Sequence, residues 1–218
     1  MTKQHKNQQG FTILELLIST AVFSVVLLLC STAIIQVGRM YYKGVIANRT
    51  QNASRNVVED ASQAVQLGSA AGSSFFDTGT QAYGGITIRS YCLGEIRYSY
   101  APATVALGTG GGSRIRHVLW KDKPGINAVC TPLNLTQANP GGVSGQEMLG
   151  DAMRVVQFLV NDETVNLYSI RLTVAYGGDN DVFSNSGGVP NYNVCASSSV
   201  GGQYCSVSII NTSAAKRL

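Results

Sequence analysis

Apolar and polar residues divide this chain into an almost purely apolar beginning and a mixed remainder. Residues 11–37 are nearly all apolar, and Glu15 is the only charged residue among them. A helix needs about 20 such residues to cross a bilayer, and one segment can satisfy its backbone in lipid only as a helix. The pattern predicts a membrane-spanning helix with one carboxylate near its start, a position at which an ionisable residue indicates a function.

The helix is predicted to continue beyond the span. No proline occurs before Pro102, so no residue forces an earlier stop, and Gly68 is a natural C-terminal end. We therefore predict a transmembrane half at residues 11–37 and an amphipathic half at residues 38–68 that packs on a head. Residues 48–56 are polar nearly throughout, which indicates a solvated patch or a bend. The expected packed face consists of Tyr41, Val45, Val58, Ala61 and Val65.

Further along the chain, the period of the apolar residues changes to that of strands. Short β-branched and aromatic segments alternate with glycine-rich turns at residues 86–91, 95–100, 114–121, 154–160, 166–176 and 204–211. Segments 154–160 and 166–176 predict a hairpin, and residues 132–150 and 177–202 predict loops. One helix followed by about six strands predicts an α+β fold. Its head, residues 69–218, is an antiparallel sheet laid on the outer half of the helix.

The junction between the polar residues 1–10 and the apolar run resembles the signal of type IV prepilins and pseudopilins. The residues that carry the resemblance are Gly10, then Phe11, and then Glu15. The resemblance implies that a prepilin peptidase removes residues 1–10 as a leader, cutting between Gly10 and Phe11. It also implies that Phe11 becomes the N-methylated first residue and that Glu15 directs assembly. Because buried charges persist when they are paired, a neighbour's Glu15 can neutralise the new amine and fix the register.

The N-terminal segment has three other possible interpretations. A plain signal anchor would carry its glutamate by accident. A secretory signal peptide has an apolar core of only about 7–15 residues before a small-residue cleavage site. A lipoprotein site at Cys30 would follow the bulky Leu29 where a small residue is expected. The combination of Gly10, Phe11 and Glu15 favours the prepilin-type signal over all three.

Five cysteines bear on the compartment of the head. Cys30 lies in the span and is typical of a small apolar residue. An even set in an exported domain predicts two disulfides, and three pairings are possible. We favour Cys92–Cys130 and Cys195–Cys205, because each closes a loop bounded by strand-like segments. Zinc ligation is disfavoured, because the chain has no CxxC spacing and His117 is the head's one histidine.

Composition and motifs favour a structural protein over an enzyme. The formal net charge is +4; without Lys3 and Lys6 the chain keeps 14 basic and 12 acidic residues, so charge does not single out nucleic acid as a partner. No hydrolase, zinc-protease or dinucleotide motif occurs, and we predict no cofactor and no metal. The glycine-rich residues 108–113 lack phosphate-loop spacing and predict a turn.

Two polar clusters leave binding alternatives open. Oxygen-bearing side chains in a glycine-flanked loop could hold calcium, although the EF-hand pattern fails and a solvated turn is favoured. Basic side chains around one strand could contact DNA phosphates, although a solvated edge is favoured. The first cluster is Asp179, Asn180, Asp181, Ser184 and Asn185, and the second is Arg114, Arg116, Lys121 and Lys123.

The head is similar to the larger minor pilins of the PilW type through residues 90–100, 115–121 and 204–212. The resemblance implies a minor type IV pilin that primes assembly or sits at the tip and supports motility, adhesion or DNA uptake. It implies other pilin subunits, a prepilin peptidase and methyltransferase, and the inner-membrane assembly machinery as partners. The chain is expected as a single-pass inner-membrane protein that later enters an extracellular filament. The alternatives are a minor pseudopilin of type II secretion and a pilus-tip adhesin that binds a surface or DNA.

Overall fold

A computed structural model describes residues 11–68, 76–106, 114–115, 117–124, 131–137, 140, 145–164, 166–178, 182–186, 189–196 and 204–216. Within these ranges the fold is α+β, as predicted: one long helix precedes a set of mainly antiparallel strands. The elements are α1 (Ile13–Leu67), β1 (Phe76–Tyr83), β2 (Ile86–Leu93), β3 (Ile96–Tyr100), β4 (Val105–Ala106), β5 (Arg114–Ile115), β6 (Leu119–Asp122), β7 (Gln146–Glu147), β8 (Met153–Thr164), β9 (Leu167–Tyr176), β10 (Phe183–Ser186), β11 (Val189–Cys195) and β12 (Ser206–Ala215). The chain separates into two compact units, residues 1–41 and residues 42–218.

Two larger sheets build the second unit. A five-stranded sheet has the order β1-β2-β3-β6-β7, and a three-stranded sheet has the order β12-β9-β8. Two small ribbons, β10-β11 and the parallel pair β4-β5, complete the described strands. β8 and β9 form the hairpin that the sequence predicts, but β8 runs longer than predicted, and Thr164 lies opposite Leu167.

The main core lies between the outer half of α1 and both larger sheets. Val57, Ala61 and Val65 of the helix are fully buried in one cluster with residues from β2, β3, β6, β8, β9 and β12. Phe158 of β8 lies at its centre, with its ring edge-on to those of Tyr91, Tyr98 and Tyr100 at centroid distances of 5.5, 6.0 and 5.8 Å. Edge-to-face aromatic pairs add to the free energy of area burial, so this cluster holds the two sheets to the helix.

The packed face of α1 differs from the predicted one in its first turns. Tyr41 is 69% exposed, whereas Ile46, Thr50 and Ser54 are buried. The hydroxyls of Thr50 and Ser54 donate to the carbonyls of Ile46 and Thr50, at 2.9 and 2.8 Å. These short side chains satisfy their own polar groups and can therefore be buried. The polar segment 48–56 thus contributes to the packed face and is continuous helix.

The predicted strands and loops are corrected at several places. Segment 114–121 is not one strand, because β5 and β6 are separate elements and His117 lies between them. The predicted loop 177–202 contains the ribbon β10-β11, and β1, β4 and β7 were not predicted. Short strands rich in Asn, Gly, Ser and Gln lack the β-branched alternation on which the prediction depended.

β12 turns its more apolar face away from the main core. Cys205, Val207 and Ile209 alternate along one face, but Ile209 is 50% exposed. Ser208 and Ile210 lie opposite the core residues Val174 and Leu172 of β9. The helix-facing side of β12 therefore carries small or polar residues together with Ile210.

Candidate assembly site on the N-terminal helix

Thr12, which follows the predicted first residue of the mature chain, caps the start of α1. The Thr12 hydroxyl accepts a hydrogen bond from the backbone N–H of Glu15 at 3.3 Å, which is the N-cap contact. Phe11 precedes the cap and is 76% exposed. Gly10 lies outside the described residues. Phe11 is therefore accessible at the N-terminal end of the helix. Removal of the leader would leave the cap intact, because both of its residues follow the predicted cut.

Glu15 lies in the first turn of α1 and is exposed. The helix dipole favours a carboxylate there by about 0.3–1 kcal/mol, whereas a charge at the bilayer centre costs about 2.5–3.5 kcal/mol or more. Among the described residues, no side chain hydrogen-bonds or ion-pairs with this carboxylate. The dipole compensates only part of the cost, so Glu15 can gain from a cation that another chain supplies.

The other hydroxyl side chains of the span are satisfied by the helix itself. Ser19, Ser24 and Ser31 each donate to the carbonyl four residues earlier, at 2.8 Å. Thr20 and Thr32 donate to the carbonyls three residues earlier, at 3.0 and 2.9 Å. A hydroxyl satisfied in this way carries little penalty in lipid. Glu15 is thus the span's one charged group, on a surface whose hydroxyls need no outside partner.

The first unit has the surface of a membrane anchor. Within the described part of the chain, α1 is long and apolar enough to cross a bilayer, and its most apolar stretch has no residue buried against the protein. Large side chains such as Phe23, Leu28 and Ile34 are more than half exposed. This surface needs lipid or other apolar helices to cover it.

In the second unit, Asp60 ties α1 to the five-stranded sheet. Its carboxylate accepts hydrogen bonds from the Tyr98 hydroxyl at 2.7 Å and from the Lys121 ammonium at 2.6 Å. Tyr98 and Lys121 are cross-strand partners in β3 and β6. Burial, and then the hydrogen bond to Asp60, raise the pKa of Tyr98. Lys121 is therefore paired with Asp60. Its charge is not free to act in the basic cluster that the sequence predicts.

A buried ion pair joins the same two strands. Arg97 and Asp122 lie opposite each other and are 5% and 3% exposed. The guanidinium donates to both carboxylate oxygens, at 2.9 and 2.5 Å, and to the Thr131 carbonyl at 3.0 Å. A bidentate pair with a further hydrogen bond to a carbonyl compensates the desolvation of both charges. This arrangement is structural.

The head's histidine also has a structural environment. His117 packs against Trp120 with ring centroids 4.3 Å apart and ring planes tilted by 53°, and its Nδ1 lies 3.5 Å from the Glu147 carboxylate. That carboxylate accepts the backbone N–H groups of Val118, Leu119 and Leu149, at 2.9, 3.0 and 3.1 Å. Burial raises the pKa of Glu147, and these hydrogen bonds oppose the shift. The Glu147 carboxylate thus holds the start of β6 next to residue 149, and His117 packs beside it.

The sequence analysis did not predict that an arginine is buried. Arg154 of β8 is 1% exposed and its guanidinium lies against the rings of both Phe183 and Tyr192, 4.8 and 4.6 Å from their centroids. One of its nitrogens donates to the Gly177 carbonyl at 2.5 Å. A charged residue that begins a strand is typical of a solvated end, and its aromatic partners are about 30 residues away. No local signal predicts this cation–π contact.

The cysteines follow the exported pattern where they are described. Cys195 at the end of β11 and Cys205 before β12 form a disulfide, which is one of the two favoured pairings. Cys92 is also disulfide-bonded, and Cys130, its favoured partner, lies outside the described residues. Cys30 is a free, exposed thiol on α1.

The remaining candidate residues are described only in part. Arg114 is in β5, while Arg116, Asp179, Asn180, Asp181 and residues 108–113 lie outside the described residues. Ser184 and Asn185 are in β10. In the part of the chain that the structure describes, no group of three His, Cys, Asp or Glu side chains could hold a metal ion.

Comparison with known proteins identifies the N-terminal segment. Residues 5–31 match the family model of the prokaryotic N-terminal methylation motif. No curated protein and no solved structure matches the chain. The matched residues include Gly10, Phe11 and Glu15 and most of the exposed span. The chain therefore carries a type IV pilin-like prepilin signal, which implies processing by prepilin peptidase, anchoring through one N-terminal helix and assembly with other pilins.

Proposed function

We propose that this protein is a minor type IV pilin, a structural subunit that primes filament assembly or sits near the tip. The observation that carries the proposal is the lone Glu15 carboxylate on an exposed apolar helix, inside the matched methylation motif. The large head, residues 69–218, favours a minor over a major subunit. Motility, adhesion and DNA uptake are the processes that such a filament supports.

The proposed assembly step is a charge pairing between subunits. Cleavage between Gly10 and Phe11 creates an amine, which is methylated on Phe11. In an apolar helix bundle, the Glu15 carboxylate of one subunit lies against the Phe11 amine of the next. Removing one partner of a buried ion pair costs about 3–5 kcal/mol, so the pairing fixes the depth at which each subunit stops.

The locations and partners follow from this step. The unprocessed chain is a single-pass protein of the inner membrane with its disulfide-bonded head outside. There it meets the prepilin peptidase, the assembly machinery and other pilin subunits, and from there it enters an extracellular filament.

Variants of Glu15 test the proposal. We expect Glu15→Ala and Glu15→Gln to be cut after Gly10 as efficiently as the natural chain, because the cut lies before the helix. Both should enter filaments at least tenfold less often, whereas Glu15→Asp, which keeps the charge, should be incorporated better than either. N-terminal sequencing reports the cut, and immunoblotting of sheared filaments reports incorporation. Normal incorporation of Glu15→Gln would refute charge pairing.

The methylation motif equally favours a second candidate, a minor pseudopilin of type II secretion. Deletion of the gene distinguishes the two. A pilin deletion removes surface filaments, whereas a pseudopilin deletion leaves filaments and blocks protein secretion. A tip adhesin would instead leave filament number unchanged and abolish binding of the filament to a surface or DNA.

A further inference from the structure

β12 forms one edge of the three-stranded sheet. All ten of its residues pair with β9, from Ser206 opposite Tyr176 to Ala215 opposite Leu167, without a register shift. Along Ser206–Ala215, no other described strand pairs with its opposite side. The strand thus presents a regular edge about ten residues long.

The register shows which backbone groups point outward. The Lys216 N–H donates to the Asn166 carbonyl at 2.8 Å, and these two residues continue the β12–β9 register by one step. In an antiparallel pair, hydrogen-bonded and non-hydrogen-bonded positions alternate, so the even-numbered residues of β12 bond to β9. The odd-numbered residues direct their N–H and C=O groups to the free edge. They are Val207, Ile209, Asn211, Ser213 and Ala215.

β12 lacks the features that usually protect an edge strand. Proteins protect edges with charged residues, prolines, bulges or very short strands. β12 has no charged residue, no proline and no bulge. The opposite edge of the same sheet, β8, has two register shifts and carries Asp162 and Glu163. β1 has a shift between Asp77 and Thr80, and β7 has two residues.

The side chains of the outward-pointing residues favour a particular partner. Ile209 is 50% exposed, and Asn211 and Ser213 are exposed beside it. A strand added here would cover Ile209 with a side chain of its own on the same face. Since β12 carries no charge, a charged side chain opposite it would lose solvation without gaining a partner.

We propose that the free edge of β12 binds an extended, uncharged segment of another pilin-type subunit, which adds as a further strand. The unpaired N–H and C=O groups select an extended peptide backbone, and the flanking side chains select an uncharged one with an apolar residue near Ile209. Another pilin-type subunit is the source because the N-terminal signal implies assembly with other pilins. The inference rests on that co-assembly and not on charge pairing at Glu15.

Amide hydrogen exchange of the full chain in detergent micelles tests the edge directly. In the chain alone, we expect the N–H groups of the five odd-numbered residues to exchange at least tenfold faster than those of Ser208, Ile210 and Thr212. The probe is a peptide with the β12 sequence SVSIINTSAA. At saturation it should slow the five fast amides at least tenfold. The control is the same peptide with N-methyl groups at alternate residues, which cannot donate to the edge.

A matched pair of variants tests the same edge in the chain. Asn211→Pro removes an outward N–H and should weaken peptide binding at least tenfold, whereas Asn211→Ala removes only the side chain and should change it less than threefold. Both variants should still be cut after Gly10, so a failure here is distinct from a failure of the signal. Five odd-numbered amides that are already slow in the isolated chain would overturn the proposal, as would equal binding of both peptides.

Binding in cells identifies the occupant. A photo-crosslinking residue at position 211 should attach to a second chain that also carries the N-terminal methylation signal. Crosslinks only to proteins without that signal would refute the proposed occupant.

Discussion

Replacing Asp122 tests whether the buried ion pair determines the stability of the head. Asp122→Ala removes the two acceptors that Arg97 contacts at 2.9 and 2.5 Å. Arg97, which is 5% exposed, then keeps only its hydrogen bond to the Thr131 carbonyl. Two hydrogen bonds to a charged group contribute about 1.5–3 kcal/mol each. Removing one partner of a buried pair costs about 3–5 kcal/mol. Both estimates predict that the free energy of unfolding falls by about 4 kcal/mol.

Urea unfolding followed by tryptophan fluorescence measures this loss. The chain has one tryptophan, Trp120, which is 7% exposed and lies two residues before Asp122 in β6. With a slope of about 2 kcal/mol/M, a loss of about 4 kcal/mol lowers the urea midpoint by about 2 M. The full chain in detergent micelles is used, so that the span stays covered while the head unfolds.

Two control variants make the result specific. Lys121→Ala breaks the ion pair with Asp60, whose side chains are 25% and 27% exposed, and should cost only about 0–1 kcal/mol. The double variant Arg97→Met with Asp122→Leu removes both charges and should unfold within about 1 kcal/mol of the natural chain. The reasoning is refuted if Asp122→Ala lowers the midpoint no more than Lys121→Ala does. It is also refuted if the double variant is as unstable as Asp122→Ala.

Three further measurements test other parts of the head. Gly94→Ala should lower the urea midpoint more than Gly85→Ala: both glycines have positive φ, but only at Gly94 would a Cβ lie 2.7 Å from the Gly68 Cα. Equal losses would contradict this close approach. Burial raises the pKa of Tyr98 and Tyr100, so the contribution of these two tyrosines to stability should be constant below the ordinary tyrosine pKa of about 10 and fall above it. Tyr98→Phe should reduce that fall, and an unchanged fall would exclude Tyr98 as its cause. Mass spectrometry of the non-reduced head should show Cys195 linked to Cys205 and a mass lower by two hydrogens per disulfide. Four free thiols would refute an oxidising compartment.

The elements that local patterns determine were predicted well. The long helix was expected to end near Leu67, where it ends, because the sequence before it lacks a helix breaker. The β8–β9 hairpin was predicted from alternation, and Ile170, Leu172 and Val174 are fully buried as that alternation requires, although Thr173 on the other face is buried as well. Cys195 and Cys205 were paired correctly because they are close in sequence and flanked by strands.

The elements that depend on distant partners were not predicted. Thr50 and Ser54 read as a solvated patch because their burial depends on back-bonding to α1 and on the head that covers them. Arg154 is buried because Phe183 and Tyr192 enclose it. The inner side of β12 accepts Ser208 because β9 already supplies Val174 beside it. Apart from the carbonyls one helical turn before Thr50 and Ser54, none of these partners is a sequence neighbour.

The same difference accounts for what the family comparison matched. In the span, lipid offers no hydrogen bonds, so Thr12, Ser19 and Ser24 are satisfied by residues three or four positions away, and Glu15 has no side-chain partner among the described residues. Requirements that are met within one turn constrain the sequence residue by residue, and residues 5–31 match a family model. In the head, pairs such as Arg97 with Asp122 and Tyr98 with Asp60 lie 25 and 38 residues apart. Many residue combinations can satisfy such pairs, so a head can keep its α+β architecture while its sequence diverges. The methylation motif therefore predicts the class of assembly, and the choice of partner depends on head surfaces such as the β12 edge.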